Sequence, residues 1–299
     1  MINSTAGLAG SDDAEVAAAA ARAGAEAVKA RYGKPLDRID KGAGDFATDA
    51  DLAAEEAIRA VLRAARPDDA VLGEEGGRRG AADAAREWLV DPLCGTLNYA
   101  VGGMLVAVNV ALRDGPAAVA DPFSGEVFCT DGAAAWVRRD GGDTRLTPTA
   151  GTRLVDVNLD PPFPSAPGFR AVDLLAHPGF AERFRPRVVS TSLALAWVAA
   201  GKRAAYVTDG RDLGGSVHFA AGTALCRAAG CVVTALDGSP VHGSSLHESH
   251  VTDSPSSGSP AGRAGNGLVA AADAETHGLL LSMIREGRRD GRSWLGGRR

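Results

Sequence analysis

Apolar and polar residues follow one another along the chain in a pattern that predicts a mixed α/β fold. From residue 11 to 32, alanines alternate with charged residues at helical spacing, which predicts an amphipathic helix. A second helix is expected at about 51–65. The intervening polar, glycine-containing segment 41–51 is typical of a turn. Residues 71–77 then predict a short strand that ends in two acids and a flexible loop. Further apolar segments predict strands at residues 88–90, 104–112, 117–120, 125–129, 133–138 and 144–147.

The second half of the chain alternates strands with helices after a proline-rich connector at 160–167. Strands are expected at 187–190, 204–207 and 232–236, and helices at 193–200 and 220–229. Such alternation predicts an α/β architecture. We therefore expect two parts, an N-terminal α+β part over 1–150 and a C-terminal α/β part over 151–299. Residues 242–264 are rich in Ser, Gly, Pro and His and predict a mobile loop.

Composition excludes some classes of function. The 299 residues are 45% hydrophobic and 23% charged, with a net charge of −5, so no overall basic field predicts nucleic-acid binding. No apolar run approaches the roughly 20 residues of a membrane span, and no signal peptide is recognisable at the N-terminus. Four cysteines in a chain of this length do not predict a disulfide scaffold. We expect a cytoplasmic protein without membrane contact.

The stretch from Asp91 to Tyr99 is the strongest candidate for chemistry. It follows the apolar run 88–90, which reads as the end of a buried strand, and its Gly95-Thr96 pair precedes a predicted helix. A carboxylate at the end of a strand can hold a metal ion, and the free N–H groups at the start of a helix can hold a phosphate. The stretch therefore predicts a site for a cation and an anion together.

Other acids also follow apolar segments, namely Asp51, Glu74 and Glu75. Taken singly, each of these residue types is more often a helix cap or a solvated surface acid. Their order along the chain matters more than any one of them, because it matches a known pattern.

Residues 91–99 resemble the signature of the inositol monophosphatase family, Asp-Pro-hydrophobic-Asp-Gly-Thr-x-Asn-Phe. Further stretches resemble family motifs in the same order: Thr48-x-x-Asp51, Gly73-Glu74-Glu75, 192–201 and 218–230. The resemblance extends from about Ala18 to Val269. It implies a layered α/β/α/β/α sandwich, a homodimer, and Mg²⁺-dependent hydrolysis of a phosphate monoester.

The resemblance also implies roles for individual residues. A first Mg²⁺ would be held by Glu74, Asp91 and the backbone carbonyl of Leu93. Asp51 and Thr96 would orient the attacking water, and the N–H groups of Gly95 and Thr96 would receive the phosphate. Asp209 and Arg211 lie in a segment, 208–215, that would contact the substrate.

Two residues depart from the family pattern. Cys94 and His218 stand where the family has two aspartates that bind a second metal, so a second Mg²⁺ should bind weakly or not at all. Three interpretations stay open. The second site is lost and the two residues pack as ordinary side chains; Asp91, Cys94 and His218 bind Zn²⁺ or Fe²⁺; or Cys94 and His218 act directly as a thiolate and an acid or base.

Three functions follow from these alternatives. The first is hydrolysis of a small sugar, cyclitol or nucleotide phosphate with an altered second metal site. The second is a non-hydrolytic reaction, such as elimination, cyclisation or isomerisation, that uses Cys94 or His218. The third is a non-catalytic protein that binds a phosphorylated ligand. In each case we expect a small phosphorylated or anionic partner.

Overall fold

A computed structural model describes residues 5–42, 45–159, 170–209, 216–241 and 267–289. After a short 3₁₀ helix at Thr5–Gly10, the helices are α1 Asp13–Arg31, α2 Asp49–Ala65, α3 Thr96–Ala100, α4 Ala171–Leu175, α5 Pro178–Arg183, α6 Leu193–Ala199, α7 Ala220–Ala229 and α8 Ala274–Arg289. The strands are β1 Arg38–Gly42, β2 Asp45–Thr48, β3 Ala70–Gly73, β4 Gly77–Arg79, β5 Glu87–Cys94, β6 Ala107–Leu112, β7 Ala117–Ala120, β8 Val127–Thr130, β9 Ala135–Arg139, β10 Gly142–Arg145, β11 Leu154–Asn158, β12 Arg185–Val188, β13 Ala205–Thr208, β14 Val232–Ala235 and β15 Leu268–Ala271.

Two sheets form the framework. The large sheet has eight strands in the order β10-β9-β8-β7-β6-β5-β3-β4, in which only β3 and β5 run parallel. The small sheet has five strands in the order β12-β11-β13-β15-β14, with β11 parallel to both of its neighbours. Strands β1 and β2 form a separate antiparallel pair. The expected turn at 41–51 is therefore wrong over 41–42 and 45–48, which belong to this pair, and over 49–51, which begin α2; residues 43 and 44 lie outside the described part of the chain.

Alternation along β5 explains how helices cover both faces of the large sheet. Trp88 and Val90 are fully buried in the same core cluster as α1 and α2. Leu89, between them, points the other way and joins the cluster that includes α6 and α7. A strand buried on both faces reads as a continuous apolar run, which is why 88–90 shows no alternation of polar residues.

The small sheet is buried on both faces in the same way. Tyr206 of β13 and Ala270 of β15 belong to the cluster with α6 and α7. Val207 and Val269, their neighbours in sequence, pack on the opposite side against α4, α5 and α8. The layers therefore run α1/α2, large sheet, α6/α7, small sheet, α4/α5/α8. This is the layered α/β/α/β/α fold that the sequence predicts, and the prediction is confirmed.

Most predicted elements agree with the structure, with some corrections. The expected strand 104–112 begins only at Ala107, because Met104 and Leu105 are exposed. Elements that the sequence interpretation missed include β11, β15 and α8. The connector 160–167 and the loop 242–264 lie outside the described residues, and the division at residue 150 stays a prediction. Among the described helices, none combines the length and apolar character needed to cross a membrane.

The contact between α6 and α7 makes a testable prediction at Gly222. A Cβ atom there would lie 2.6 Å from Cδ1 of Leu195 and 2.7 Å from its Cβ. We expect Gly222→Ala to lower the free energy of unfolding by about 1–3 kcal/mol through overpacking. The matched control is Gly278→Ala at an exposed position of α8, where the added Cβ would meet nothing within 4 Å. That control should leave stability unchanged or raise it by up to about 1 kcal/mol. Urea unfolding measures both, and equal effects would contradict the packing.

Candidate active site

Asp91 is placed by an irregularity in β5. Asp91 lies opposite Asn109 of β6 and Cys94 opposite Ala107, so two residues of β5, Pro92 and Leu93, share the space of one on β6. Such a bulge re-aims neighbouring side chains, and it accommodates proline, which has no N–H to give to the sheet.

The Asp91 side chain is fully buried and held by neighbouring donors. The backbone N–H of Leu93 donates to its Oδ1 at 3.1 Å, and Nδ2 of Asn109 lies 3.5 Å from its Oδ2. Asn109 is itself fixed by Ser192, whose Oγ lies 2.8 Å from Nδ2. This network orients the carboxylate, and the sequence interpretation missed Asn109 and Ser192 as positioning residues.

Glu74 follows β3 and comes close to Asp91 because β3 and β5 are parallel neighbours. Its N–H donates to the carbonyl of Val90 at 3.0 Å. The loop after it is anchored by Glu55 of α2, whose carboxylate accepts the N–H groups of Glu75 and Gly76, each at 2.9 Å. A buried acid therefore holds this loop in place beside the site.

Lys41 of β1 is a site residue that sequence reasoning missed. Its Nζ lies 3.0 Å from Oε1 of Glu74 and 2.7 Å from Oε1 of Glu75. Burial alone would lower the pKa of Lys41, but the two carboxylates outweigh burial and raise it. The only sequence signal was a lysine in the polar segment before Thr48, and nothing local indicated where it would reach.

His218 lies just before α7 and turns towards the same acids. Its Nδ1 is 2.8 Å from Oδ2 of Asp91 and 3.8 Å from Oε2 of Glu74. One ligand atom from each of Glu74, Asp91 and His218 lies within 4.8 Å of the other two. Within the part of the chain that the structure describes, these three residues form the one such cluster of potential metal ligands.

Burial and mutual repulsion control the charges of this cluster. Burial, with the Asp91 carboxylate nearby, raises the pKa of Glu74 to about 8. Burial alone would lower the pKa of His218, but Asp91 and Glu74 raise it to about 9. At neutral pH this pKa favours the protonated form of Glu74, whereas the positive charges of His218 and Lys41 favour its carboxylate.

A second group of residues links Asp51 to the same site. Asp51 is fully buried and closes a capping box at the start of α2, where N–H and Oγ1 of Thr48 donate to its Oδ2 at 2.8 and 2.5 Å. Oγ1 of Thr96 lies 3.1 Å from Oδ1 of Asp51 and 3.0 Å from the carbonyl oxygen of Leu93. Burial raises the pKa of Asp51 to about 6, partly opposed by the hydrogen bonds from Thr48.

Gly95 lets the chain turn from β5 into α3. Its φ is +103°, and an added Cβ would lie 2.9 Å from the carbonyl oxygen of Leu105. Any other residue would be strained and crowded at this position. The turn brings Thr96 back over Leu93, which connects the Asp51 group to the strand that carries Asp91.

Cys94 is close to this site but outside the cluster of ligand atoms. Its Sγ accepts the N–H of Ser192 at 3.1 Å, and burial together with Asp91 raises the pKa of the thiol well above its ordinary value. The structure thus does not assemble the ligand set of Asp91, Cys94 and His218, because it brings only Asp91 and His218 together. The raised pKa also opposes the hypothesis of a thiolate nucleophile.

Asp209, one of the two residues expected to contact the substrate, is engaged outside this site. Oδ2 of Asp209 accepts the N–H of Ala171 at 2.8 Å, so its carboxylate is occupied at the start of α4. Arg211 lies outside the described residues. Their predicted contact with a substrate stays a prediction.

The order of motifs, the layered fold and the convergent acids can now be compared with known proteins. The sequence profile of the inositol monophosphatase family matches residues 11–288. The chain belongs to this family. It is 33% identical over 237 residues to an inositol-1-monophosphatase of Caulobacter vibrioides, an alignment that covers 73% of this chain and 87% of the relative.

Solved structures agree with the family assignment at the level of fold. The extragenic suppressor protein suhB from Bartonella henselae superposes with a TM-score of 0.72 at 24% identity, over 91% of this chain and 98% of that one. The IMPase of Thermotoga maritima gives a TM-score of 0.72 at 18% identity, over 93% and 98% of the two chains. These similarities confirm the fold and the family resemblance that the motifs imply.

Proposed function

We propose that this family member hydrolyses a phosphate monoester of a small sugar, cyclitol or nucleotide, using a divalent metal held by one conventional site. One observation carries this proposal: Leu93 connects the Asp51–Thr96 pair to the Glu74–Asp91 pair. Its N–H donates to Asp91, and its carbonyl accepts the hydroxyl of Thr96, which also lies 3.1 Å from Asp51. A group that can orient water and a group that can bind a cation therefore share one small, partly buried volume.

The donor chemistry of the first site fits a hard cation such as Mg²⁺. Glu74 and Asp91 present carboxylate oxygens, and Leu93, on the same strand as Asp91, would add its backbone carbonyl. Oxygen donors of this kind are the ligands that Mg²⁺ prefers. A metal ion at this position would supply a water of lowered pKa and would stabilise negative charge on the phosphate.

Asp51 and Thr96 would hold the attacking water. The carboxylate of Asp51 accepts a proton more readily than an ordinary aspartate, since burial has raised its pKa. The hydroxyl of Thr96, between Asp51 and Leu93, is placed to fix the direction of that water. The N–H groups of Gly95 and Thr96 are proposed to receive the phosphate.

The residues present do not fit the family's second Mg²⁺. Cys94 offers a protonated thiol, and His218 offers an imidazole that pairs with Asp91. Neither supplies the hard oxygen that Mg²⁺ requires. A Zn²⁺ or Fe²⁺ site that includes Cys94 gains no support either, because Ser192 engages that sulfur.

The alternative functions have less in their favour. A non-hydrolytic reaction by Cys94 and His218 would require the two to act together, whereas the thiol is held protonated and outside the cluster around Asp91. A protein that only binds a phosphorylated ligand would have no use for the Asp51–Thr96 pair.

We also propose a homodimer, which sedimentation equilibrium would refute by giving the mass of a single chain. The exposed apolar side chains of Val101 and Met104 suit such a contact.

Removal of a metal ligand tests the proposed function. Glu74→Gln should abolish metal-dependent phosphate release, with a loss of at least about 100-fold, because an amide cannot replace the charge that holds the cation. The control Glu126→Gln alters an acid just before β8 that pairs with Lys202 and belongs to neither group of site residues, and it should leave the rate unchanged. Phosphate release from a panel of sugar, cyclitol and nucleotide monophosphates gives the readout. An active Glu74→Gln variant would refute the assignment.

The pH profile tests the role of Asp51. Because Asp51 must be ionised to accept a proton, kcat should rise as the pH rises through the pKa of Asp51, which is about 6. A bound cation nearby would favour the ionised form, so the rise should lie at or below about pH 6. Asp51→Asn should lower kcat by about 10²–10⁴-fold and remove this limb. An Asp51→Asn variant that keeps both the rate and the limb would show that another group is the base.

A further inference from the structure

We propose that Nδ1 of His218 is a direct ligand of the metal that Glu74 and Asp91 hold, and that this nitrogen shifts the preference of the site from Mg²⁺ to a divalent transition metal. This inference rests on the proposed function only for the position of the metal. It does not require that the reaction be phosphate hydrolysis.

Three separate segments bring the donor atoms together. Glu74 follows β3, Asp91 lies in β5, and His218 precedes α7. Oδ2 of Asp91 and Oε2 of Glu74 are the oxygens closest to Nδ1 of His218, at 2.8 and 3.8 Å. All three donor atoms lie within 4.8 Å of one another, a spacing that a single ion can bridge.

The surrounding residues leave these particular atoms available. Lys41 binds the other oxygen of Glu74, Oε1, at 3.0 Å, so Oε2 faces the histidine. The N–H of Leu93 engages Oδ1 of Asp91 at 3.1 Å, which leaves Oδ2 directed at His218. Outer hydrogen bonds that fix the orientation of ligand carboxylates are a regular feature of metal sites.

The composition of the donor set decides which metal it suits. With both carboxylates ionised and the imidazole neutral, as metal binding requires, the donor set carries a charge of −2, which matches a divalent ion. Imidazole is a good ligand for divalent transition metals and a poor one for Mg²⁺, which demands oxygen donors in near-octahedral geometry. The thiol of Cys94 stays outside the set, since it accepts the N–H of Ser192 at 3.1 Å. The set is therefore one nitrogen and two oxygens, without sulfur.

A different arrangement of the same residues would keep His218 as a cation beside Asp91, with the metal bound by oxygens alone. The two arrangements differ in one measurable property. Only direct ligation places a nitrogen nucleus in contact with the metal.

Pulsed electron paramagnetic resonance of Mn²⁺ bound to the full-length, chelator-treated protein detects that nucleus. We expect the spectrum of Mn²⁺ bound to the wild type to show modulation from a ¹⁴N nucleus. This modulation should change to the ¹⁵N pattern when the protein carries ¹⁵N-labelled histidine, and it should be absent in His218→Asp. His177→Asp is the matched control, because His177 caps α5 by accepting the N–H of Gly179 and aspartate can do the same. That variant should keep the nitrogen signal. Circular dichroism checks that both variants fold.

Competition between Mn²⁺ and Mg²⁺ gives a second, independent readout. The affinity for Mn²⁺ divided by the affinity for Mg²⁺ should fall by at least about tenfold in His218→Asp, because oxygen replaces the nitrogen donor. Absence of nitrogen coupling in the wild type, or an unchanged ratio, would overturn the proposal.

The outcomes also separate this inference from the proposed function. Nitrogen-coupled Mn²⁺ in a protein that releases no phosphate would refute the proposed function alone. Phosphate release without nitrogen coupling would refute the ligand role of His218 alone. A protein that binds neither Mn²⁺ nor Mg²⁺ would refute both.

Discussion

The close approach of two buried carboxylates, Glu74 and Asp91, is the constraint on which the site depends. Burial and mutual repulsion both disfavour two negative charges at this position, so both acids stay ionised only where positive charge lies beside them. Lys41 and His218 provide it in the described protein, from the first hairpin and from the turn before α7. The same two carboxylates make the position suitable for a divalent cation, because its positive charge would also stabilise their ionised forms.

The fold meets this constraint through the neighbours of β5. The parallel partner β3 brings Glu74 alongside, the bulge at Pro92 re-aims Asp91, and Asn109 on β6 orients its carboxylate. The glycine turn at Gly95 then returns the chain so that Thr96 meets Asp51. Strand β5 and its neighbours thus position most of the site residues, and the turn before α7 adds His218.

Sequence reasoning predicts those parts of the molecule that depend on local pattern. The apolar runs of β5 and β13 indicate strands buried on both faces, and the motif around Asp91 identifies the strand that carries the proposed metal ligand. Lys41 could not be predicted in the same way, because its role depends on where an exposed hairpin comes to lie against Glu74 and Glu75. The pairing of Ser192 with Asn109 also joins residues that are 83 positions apart.

Cys94 and His218, which the motifs predict to stand in place of two aspartates, lie in different surroundings. Cys94 is held by a backbone N–H, whereas His218 faces the carboxylates and offers them either a charge or a nitrogen ligand. The two sequence motifs show both positions only as losses of oxygen ligands. Only the tertiary structure shows that Cys94 lies outside the cluster of potential metal ligands and that His218 belongs to it.

The number of metal ions that the protein needs tests this account most directly. Chelator-treated protein would be titrated with Mn²⁺ or Mg²⁺, with bound metal and phosphate release followed in the same samples. The account predicts that release reaches its maximum at one bound ion per chain. Full activity with no bound metal, or activity that appears only at two ions per chain, would contradict it.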